Sequence, residues 1–284
     1  FSWEKLRTLY SFGWKILLSS LIDTIYNNLR SVIIGKKYDE GSLAYYNRGK
    51  QFPELLINSV NGSIQSVMLP ALSGEQDRLV QMRAMLRRSV TVSSYLVFPL
   101  LTGLALVARP MVALLLTEKW LPCVPFLQIC CADFAFYPIH TANLQAINAQ
   151  GRSDIFLKLE IIKKIYGFAI LLVTVFCFDS ALAIVMGGAV STLISAVVNA
   201  WPNKKLLGYG YIDQMRDLLP TLGLTLAMGV AVYALGLLPL GDLPLLLVQV
   251  AGGVAVYGAL SALLKVESFT YIMGLLRGLR SRTL

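Results

Sequence analysis

Long apolar stretches follow one another along most of this chain, and they constrain its fold more than any other feature. The hydrocarbon core of a bilayer is about 30 Å thick, so a helix needs roughly 20 mainly apolar residues to cross it. Such a helix also satisfies its backbone hydrogen bonds internally, as lipid requires. The stretches lie near residues 13–34, 46–69, 89–116, 125–147, 160–178, 180–201, 218–238 and 243–264. We therefore predict an all-α, polytopic membrane protein with about eight transmembrane helices.

The composition agrees with a membrane protein and argues against several classes of soluble protein. Of the 284 residues, 56% are hydrophobic and only 14% are charged, whereas a soluble domain carries about 25% charged residues. The net charge of +9 would suggest nucleic-acid binding in a soluble protein. In a membrane protein, the side on which the charges fall matters more. With one His and four Cys but no Cys-X-X-Cys pair, we predict no metal site, disulfide framework or cofactor.

Lys and Arg are unevenly distributed between the links on the two sides of the predicted spans. The richer side includes Arg83, Arg152, Lys204 and both ends of the chain. Because basic residues are retained on the cytoplasmic side, we predict that this side and both chain ends are cytoplasmic. The first outer link is an exception, since it carries Lys36, Lys37, Arg48 and Lys50.

The link at residues 73–88 is typical of a short amphipathic helix. Leu79, Met82 and Leu86 share one face, and arginines surround that face. We predict that this helix lies at the level of the lipid headgroups.

Polar side chains form a stripe along each of the first two spans. They are spaced three or four residues apart, which places them on one face of each helix. The first stripe consists of Ser20, Asp23, Asn27 and Arg30, and the second consists of Gln51, Glu54, Asn58, Asn61 and Gln65. Either the stripes bond to each other across a dry helix contact, or they line a water-filled cavity that accepts a solute. So many polar groups exceed what a packing contact needs, and we favour the cavity.

Span four presents Asp133, Tyr137 and His140 on one face. A histidine can carry a proton near neutral pH, so Asp133 and His140 are candidates for ion coupling. The alternative is a structural histidine whose hydrogen bonds are satisfied inside the bundle.

The later spans carry fewer polar groups. Span five begins with the charged residues Lys158, Glu160, Lys163 and Lys164. We expect their long side chains to reach the inner headgroups, with contact to an anionic headgroup at a cavity mouth as a second interpretation. In span six, a ridge of small residues at Gly187, Ser191 and Ser195 indicates helix packing. Spans seven and eight hold no ionisable residue in their apolar runs and are predicted to be peripheral.

A series of short motifs runs in order between residues 67 and 160. It consists of Val67–Ser73, Gln76-Asp77, Phe98-Pro99, Gly103-Leu104, Lys119-Trp120-Leu121-Pro122, Pro125-Phe126-Leu127-Gln128, Gly151-Arg152-Ser153-Asp154 and Leu157-Lys158-Leu159-Glu160. Their order and spacing together resemble Wzx-type polysaccharide flippases of the O-antigen and teichuronic-acid kind, and the resemblance covers roughly residues 1–205. These flippases belong to the multidrug/oligosaccharidyl-lipid/polysaccharide exporter superfamily.

The resemblance implies two six-helix lobes around a central cavity, often followed by two extra helices, and transport by alternating access. Residues 1–205 would then be the C-terminal six-helix transport lobe. Residues 206–284 would be two accessory transmembrane helices and a basic cytoplasmic tail. The chain begins with Phe1 rather than Met, which favours a piece of a longer protein, with the N-terminal lobe as an expected partner outside this sequence.

The resemblance also implies a substrate, an isoprenoid-diphosphate-linked oligosaccharide that crosses the cytoplasmic membrane of a bacterium during cell-surface polysaccharide biosynthesis. Arginine binds phosphate oxygens in pairs, which suits Arg30 and Arg48, while amides and carboxylates suit sugar hydroxyls. The predicted substrate cavity comprises Asp23, Asn27, Arg30, Arg48, Glu54, Asn58, Asn61 and Gln65. The expected partners are this lipid-linked oligosaccharide, the bilayer, and a polysaccharide polymerase or other assembly proteins, but no nucleic acid.

Other functions compete with a flippase. A multidrug or cation antiporter of the same superfamily would favour acids in its cavity, whereas here Asp23, Glu54 and Asp133 are matched by Arg30 and Arg48. A membrane-embedded glycosyltransferase or polymerase would need a catalytic surface outside the membrane, and the links here are short. A non-transporting scaffold leaves the polar stripes unexplained. Flipping makes and breaks no bond, so we predict a transporter rather than an enzyme.

Overall fold

The computed structural model describes residues 3–76 and 78–280, without the side chains at 4–9, 11, 12, 15, 19, 23, 27 and 275–280. Within this range every regular element is helical, which confirms the predicted all-α class. The α-helices are α1 (Trp3–Lys37), α2 (Glu40–Ser73), α3 (Leu79–Leu106), α4 (Ala108–Leu116), α5 (Val124–Phe134), α6 (Tyr137–Ala149), α7 (Ser153–Cys177), α8 (Ala181–Leu207), α9 (Tyr211–Leu235), α10 (Asp242–Leu263) and α11 (Glu267–Arg280). A 3-10 helix, Glu118–Cys123, lies between α4 and α5.

The helices have the length and apolar character of membrane-spanning segments. By length and composition, five segments of the described chain qualify as spans: Leu79–Leu106, Glu118–Ala149, Ala181–Leu207, Tyr211–Leu235 and Asp242–Leu263. Three further helices, α1, α2 and α7, are 35, 34 and 25 residues long, which is enough to cross a bilayer. Polar stripes in α1 and α2, and charged residues near the beginning of α7, lower their hydropathy. The chain is a multi-pass membrane protein, and about eight crossings agree with these helices.

Two of the predicted spans are interrupted in the structure. The third breaks at Val107, between α3 and α4. The fourth breaks at residues 135–136, between α5 and α6, and Pro138 lies in the first turn of α6. Proline is tolerated there because the first turn of a helix has no intrahelical partner for its N–H. Hydropathy does not reveal these breaks, because apolar residues continue through both of them.

The basic segment at residues 73–88 does not form a separate helix on the membrane surface. Most of it is the beginning of α3, which continues unbroken into the apolar span. Met82, Leu86 and Val90 are fully buried in a cluster with apolar residues of α6, α8 and α9. The prediction of a separate interfacial helix is wrong, because the segment is part of α3 and Met82 and Leu86 of its apolar face pack against other helices.

The links between helices gather at two opposite ends of the bundle. At one end, the link after α1 contacts the link after α7, where the Tyr38 hydroxyl donates to the carbonyl of Phe178 at 3.3 Å. At the other end, the Gln76 side chain after α2 donates to the carbonyl of Ala149 at the end of α6. The links therefore alternate between the two ends along the chain, as the alternation of charged links requires.

A buried amide network joins α9 to the helices that precede it. Asn143 of α6 and Gln214 of α9 exchange two hydrogen bonds, at 2.9 and 2.8 Å. Asn203 of α8 donates to the Asn143 side-chain oxygen at 2.7 Å. All three side chains are fully buried, and Asn143 is the residue through which Gln214 and Asn203 are linked.

The two helices predicted to be peripheral differ in their burial. In the apolar stretch of α9, 33% of the residues are buried, the same share as in α8, whereas the share in α10 is 11%. α9 packs against α3 as well as α10, while α10 packs mainly against α9. Only α10 is peripheral, because the amide network and α3 hold α9 inside the bundle.

Replacing Asn143 with leucine should lower the free energy of unfolding by a large amount for a single substitution. The change leaves the amides of Gln214 and Asn203 buried without their partner, and a buried unpaired polar group costs about 1–3 kcal/mol. The free energy of unfolding of the purified protein can be measured by titration with a denaturing detergent. Asn58→Leu, at an exposed asparagine of α2, is the matched control. Equal losses from the two variants would contradict a stabilising role for the network.

Candidate functional site

Arg30 lies inside the helix bundle and not at its outer edge. α1 packs mainly against α7, and its last turns also contact α8. The Arg30 guanidinium lies 5.7 Å from the centroid of the Tyr26 ring. It also lies against the backbone of Gly188 in α8, where an added Cβ would overlap a guanidinium nitrogen. Arg30 therefore points toward α8, in contrast to an arginine that reaches out to the headgroups.

A polar cavity of about 300 Å³ surrounds this guanidinium. It is bounded by α1, by both halves of the broken α5–α6 span, and by α7 and α8. Its lining comprises Tyr26, Arg30, Asp133, Tyr137, His140, Thr141, Leu144, Glu160, Lys163, Lys164, Gly188, Ser191, Thr192, Ser195 and Asn199. We refer to it as the interior cavity. It combines basic, acidic and amide groups within the membrane-spanning part of the bundle.

Asp133 is an acidic residue that interacts with Arg30 in the interior cavity. Its side chain is buried and interacts electrostatically with the Arg30 guanidinium. The Thr192 hydroxyl of α8 donates a hydrogen bond to one of its carboxylate oxygens. Asp133 lies at the end of α5, next to the break at residues 135–136, so the break helps to place the carboxylate at the cavity wall.

A second group of charges enters the interior cavity from α7. Glu160 forms ion pairs with Lys163 and, at 4.0 Å, with Lys164. The Lys164 ammonium lies 4.7 Å from the centroid of the Tyr26 ring. The exposed fractions of these side chains are only 7% for Glu160, 14% for Lys163 and 12% for Lys164. The expectation that these lysines reach the inner headgroups is wrong, because they turn inward toward Glu160 and Tyr26.

His140 lies on the wall of the same cavity. Its Nδ1 is 3.1 Å from the amide nitrogen of Asn199. Its Nε2 is buried without a hydrogen-bond partner among the described residues, as is the Asn199 side-chain oxygen. The imidazole is therefore only half satisfied by the protein, and it has one nitrogen available to a polar ligand.

A smaller cavity of about 110 Å³ adjoins the interior cavity and connects it to α2. Arg30, Asp133 and Tyr137 line both cavities. From α2 the smaller cavity receives Glu54 and Asn58, together with Lys50, which forms an ion pair with Glu54 at 3.4 Å. Two members of the second polar stripe thus lie close to Arg30.

The remaining predicted substrate residues do not join this arrangement. Arg48 bonds to Gln51 at 2.9 Å and lies 5.0 Å from the centroid of the Trp120 ring, at the end of the bundle. Gln65 is exposed on the outside of α2. Asn61 is partly buried, and its side-chain oxygen has no partner among the described residues.

Asp23 and Asn27 lie in α1, but the structure does not describe their side chains. The described parts of the two stripes meet only at the smaller cavity, because α1 packs mainly on α7 whereas α2 packs mainly on α5 and α6.

The prediction from sequence missed the contribution of α8 to the interior cavity. Gly188 makes room for the Arg30 guanidinium, and Thr192, Ser195 and Asn199 line the cavity above it. Thr192, Ser195 and Asn199 are spaced three and four apart, so a search for polar residues at helical spacing would have found them. Ser191 and Ser195, which were predicted to serve packing alone, also line the cavity.

Comparison with known proteins relates the chain to proteins of polysaccharide biosynthesis. Residues 1–125 match the sequence model of a family described as "Polysaccharide biosynthesis protein". The chain is 26% identical over 233 residues to the lipopolysaccharide biosynthesis protein WzxC of Escherichia coli K12, covering 82% of this chain and 47% of that protein. It is 21% identical over 238 residues to the teichuronic acid biosynthesis protein TuaB of Bacillus subtilis, covering 84% and 49%. A membrane protein encoded in the cps region of Klebsiella pneumoniae is 26% identical over 201 residues, covering 71% and 39%.

A solved structure shows the same fold. The lipid II flippase MurJ, in an inward closed conformation, superposes with a TM-score of 0.75 at 14% identity, covering 93% of this chain and 56% of MurJ. The chain thus has a MurJ-like flippase fold. It spans about half the length of the relatives that it matches, or less.

Substituting valine for Gly188 should displace the Arg30 guanidinium and destabilise the protein. Forcing extra methyl groups into an occupied site costs about 1–3 kcal/mol. Gly223→Val is the matched control, because Gly223 is a helical glycine with open space where its Cβ would stand. The free energy of unfolding should fall for Gly188→Val and change little for Gly223→Val.

A double-mutant cycle tests whether Arg30 is the cause of that loss. In an Arg30→Ala background the guanidinium is absent, so Gly188→Val should cost much less than it does alone. Additive effects of the two substitutions would show that Arg30 does not occupy the space beside Gly188.

Proposed function

Because these comparisons confirm the predicted resemblance to Wzx-type polysaccharide flippases, we propose that the chain supplies one lobe of such a flippase. The transporter moves an isoprenoid-diphosphate-linked oligosaccharide across the cytoplasmic membrane for cell-surface polysaccharide biosynthesis. The observation that carries the proposal is the interior cavity, where basic side chains from α1 and α7 converge within a bundle of membrane-spanning helices. Ionisable groups at such a depth are costly and are typical of a transport pathway.

The charge of the interior cavity favours an anionic substrate. Of the described residues that line it, Arg30, Lys163 and Lys164 are basic, and Asp133 and Glu160 are acidic. With both acids ionised and the histidine neutral, one positive charge is left over in a region of low dielectric constant. A diphosphate would neutralise it, and a guanidinium and ammonium groups are suitable phosphate donors.

The same cavity offers hydrogen-bonding groups that the protein leaves unpaired. Arg30 Nε, His140 Nε2 and the Asn199 side-chain oxygen are buried without a partner among the described residues. Buried polar atoms are normally satisfied by protein, water or ligand. Together with Asn58 and Glu54 in the adjoining cavity, they suit a ligand that carries hydroxyl groups. Arg30, Glu54 and Asn58 therefore remain in the proposed substrate site.

The domain organisation and orientation follow from the same proposal. Residues 1–205 would form the six-helix transport lobe, and residues 206–284 the two accessory helices and a tail, part of which is α11. By the positive-inside rule, the excess of Lys and Arg at one end of the bundle favours a cytoplasmic location for that end and for both chain ends. A second lobe would complete the cavity, and a polysaccharide polymerase would receive the product. Flipping requires no catalytic residue, since no covalent bond changes.

A cation antiporter is the second candidate function, and Asp133 favours it. This carboxylate and His140 line the same cavity, and both groups can exchange a proton. In the flippase proposal they serve ion coupling instead. Loss of cation efflux in Asp133→Asn, together with undiminished glycan export in Arg30→Ala, would favour the antiporter.

Substitution of Arg30 tests the flippase proposal directly. In the full-length protein, Arg30→Ala should abolish glycan export, because the main phosphate donor is lost, while membrane abundance stays near normal. Arg30→Lys should restore only part of the export, since lysine lacks the planar fork of the guanidinium. Export can be measured as surface polysaccharide in a strain that lacks its own flippase. Arg109→Ala, at an exposed arginine in α4, is the control and should export normally. Full export by Arg30→Ala at normal abundance would remove Arg30 from the site.

The orientation is tested by labelling single cysteines in a variant without the native cysteines. A membrane-impermeant thiol reagent added to intact cells should label cysteine at positions 36 and 120, which lie at one end of the bundle. Cysteine at positions 83 and 204 should react only after the membrane is opened, because the basic end faces the cytoplasm. Labelling of positions 36 and 83 from the same side would contradict the alternation of the spans.

A further inference from the structure

A second cavity, separate from the interior cavity, lies at the basic end of the bundle. It has a volume of about 540 Å³ and is formed by α3, α9, the link before α9, and the beginning of α11. Its charged lining comprises Arg83, Arg87, Arg88, Asp213, Arg216, Asp217 and Glu267. We refer to it as the basic pocket. It shares no lining residue with the interior cavity.

The acidic residues of the basic pocket are already engaged by the protein. Asp217 accepts two hydrogen bonds from the Arg87 guanidinium, at 2.8 and 3.1 Å, and a third from the Tyr209 hydroxyl at 2.8 Å. Glu267 accepts a further bond from Arg87 at 3.5 Å. Asp213 accepts the backbone N–H of Gly210 at 2.9 Å and so caps α9. These acids hold Arg87 and the helix ends in place.

The other arginines of the basic pocket are not neutralised by an acidic side chain of the described residues, so their positive charge is available to a ligand. Arg83 and Arg216 form no ion pair with any residue between 3 and 76 or between 78 and 280. Arg88 lies 4.7 Å from the centroid of the Tyr271 ring of α11, a contact that leaves its charge unneutralised. Three guanidinium groups thus surround the pocket without an acid of their own, and guanidinium is well suited to bind phosphate oxygens in pairs.

The depth of the basic pocket matches that of lipid phosphates. α3 carries no charged residue from Ser89 onward, so a helical rise of 1.5 Å per residue places Arg83 and Arg88 within roughly 10 Å of the hydrocarbon boundary. The headgroup layer occupies about this distance outside the hydrocarbon core.

An apolar groove continues from the basic pocket toward the hydrocarbon. The groove, of about 670 Å³, lies between α2 and α3, and Arg88 lines both the groove and the basic pocket. Apolar residues such as Val67, Met85 and Leu96 line it. A phosphate held near Arg88 would therefore have a path for an attached acyl chain, which free phosphate would not use.

We infer that the basic pocket binds the phosphate of an anionic diacyl phospholipid of the bilayer, with an acyl chain in the groove between α2 and α3. Arg83 and Arg216 bind the phosphate, and Arg88 lies where headgroup and chain meet. The bound lipid would hold α3, α9 and α11 together at this end. This site is distinct from the proposed transport pathway and does not depend on the transported substrate.

The test is a binding titration on the purified, delipidated chain in detergent. Phosphatidylglycerol and phosphatidylcholine with the same acyl chains are added separately, and bound lipid is counted by native mass spectrometry. Phosphatidylglycerol should bind at least about tenfold more tightly, since its headgroup carries no cation that would compete with the arginines for the phosphate. The double variant Arg83→Ala and Arg216→Ala should lose this preference, whereas Arg83→Lys and Arg216→Lys should keep most of it.

The control removes two charges elsewhere at the same end. Arg78→Gln and Arg152→Gln alter exposed arginines that pair locally with Glu75 and Asp154, and the preference for phosphatidylglycerol should survive. Inorganic phosphate at millimolar concentration should not displace the lipid. Equal binding of both lipids, an unchanged preference in the double alanine variant, or displacement by phosphate alone would each overturn the proposal. Since the readout is lipid binding, failure here would leave glycan export by the interior cavity unaffected.

Discussion

The cost of placing polar side chains among membrane-spanning helices governs how this bundle is arranged. Hydrocarbon offers such groups no hydrogen bonds, so they must find partners in the protein. Arg30 finds them near Tyr26, Asp133 and the backbone of Gly188. To reach them, α1 packs mainly on α7, and it contacts α2 and α8 less extensively. α2 packs on α5 and α6, and only part of its polar stripe reaches the same cavity.

Charged side chains are compensated differently in the interior cavity and in the basic pocket. In the interior cavity, acids and bases are interleaved, as Glu160 with Lys163 and Lys164, because an uncompensated charge is costly in a medium of low dielectric constant. In the basic pocket at the end of the bundle, Arg83, Arg88 and Arg216 have no acid of their own among the described residues, since water and headgroups reduce that cost. The amide network around Asn143 shows a third solution, in which neutral groups form hydrogen bonds with one another inside the bundle.

Much of the site was predictable where helical spacing carried the signal. Arg30, Asp133 and His140 were identified from polar residues spaced three or four apart, and all three line one cavity. Lys163 and Lys164 were assigned to the headgroups, because their spacing does not tell whether a long side chain turns outward or inward. Gly188 was missed, since a glycine becomes significant only when another helix brings a guanidinium against it.

The sequence by itself determined that the chain is helical, that it crosses a membrane about eight times, and that its charges favour one end. Hydropathy and helical periodicity are local properties, and each can be evaluated within a stretch of about 20 residues. Only the tertiary structure decided which helix faces meet, where the spans break, and that Arg30 shares a cavity with residues more than a hundred positions away in α7 and α8. Those outcomes depend on how side chains of separate helices fit together, and no local pattern contains that information.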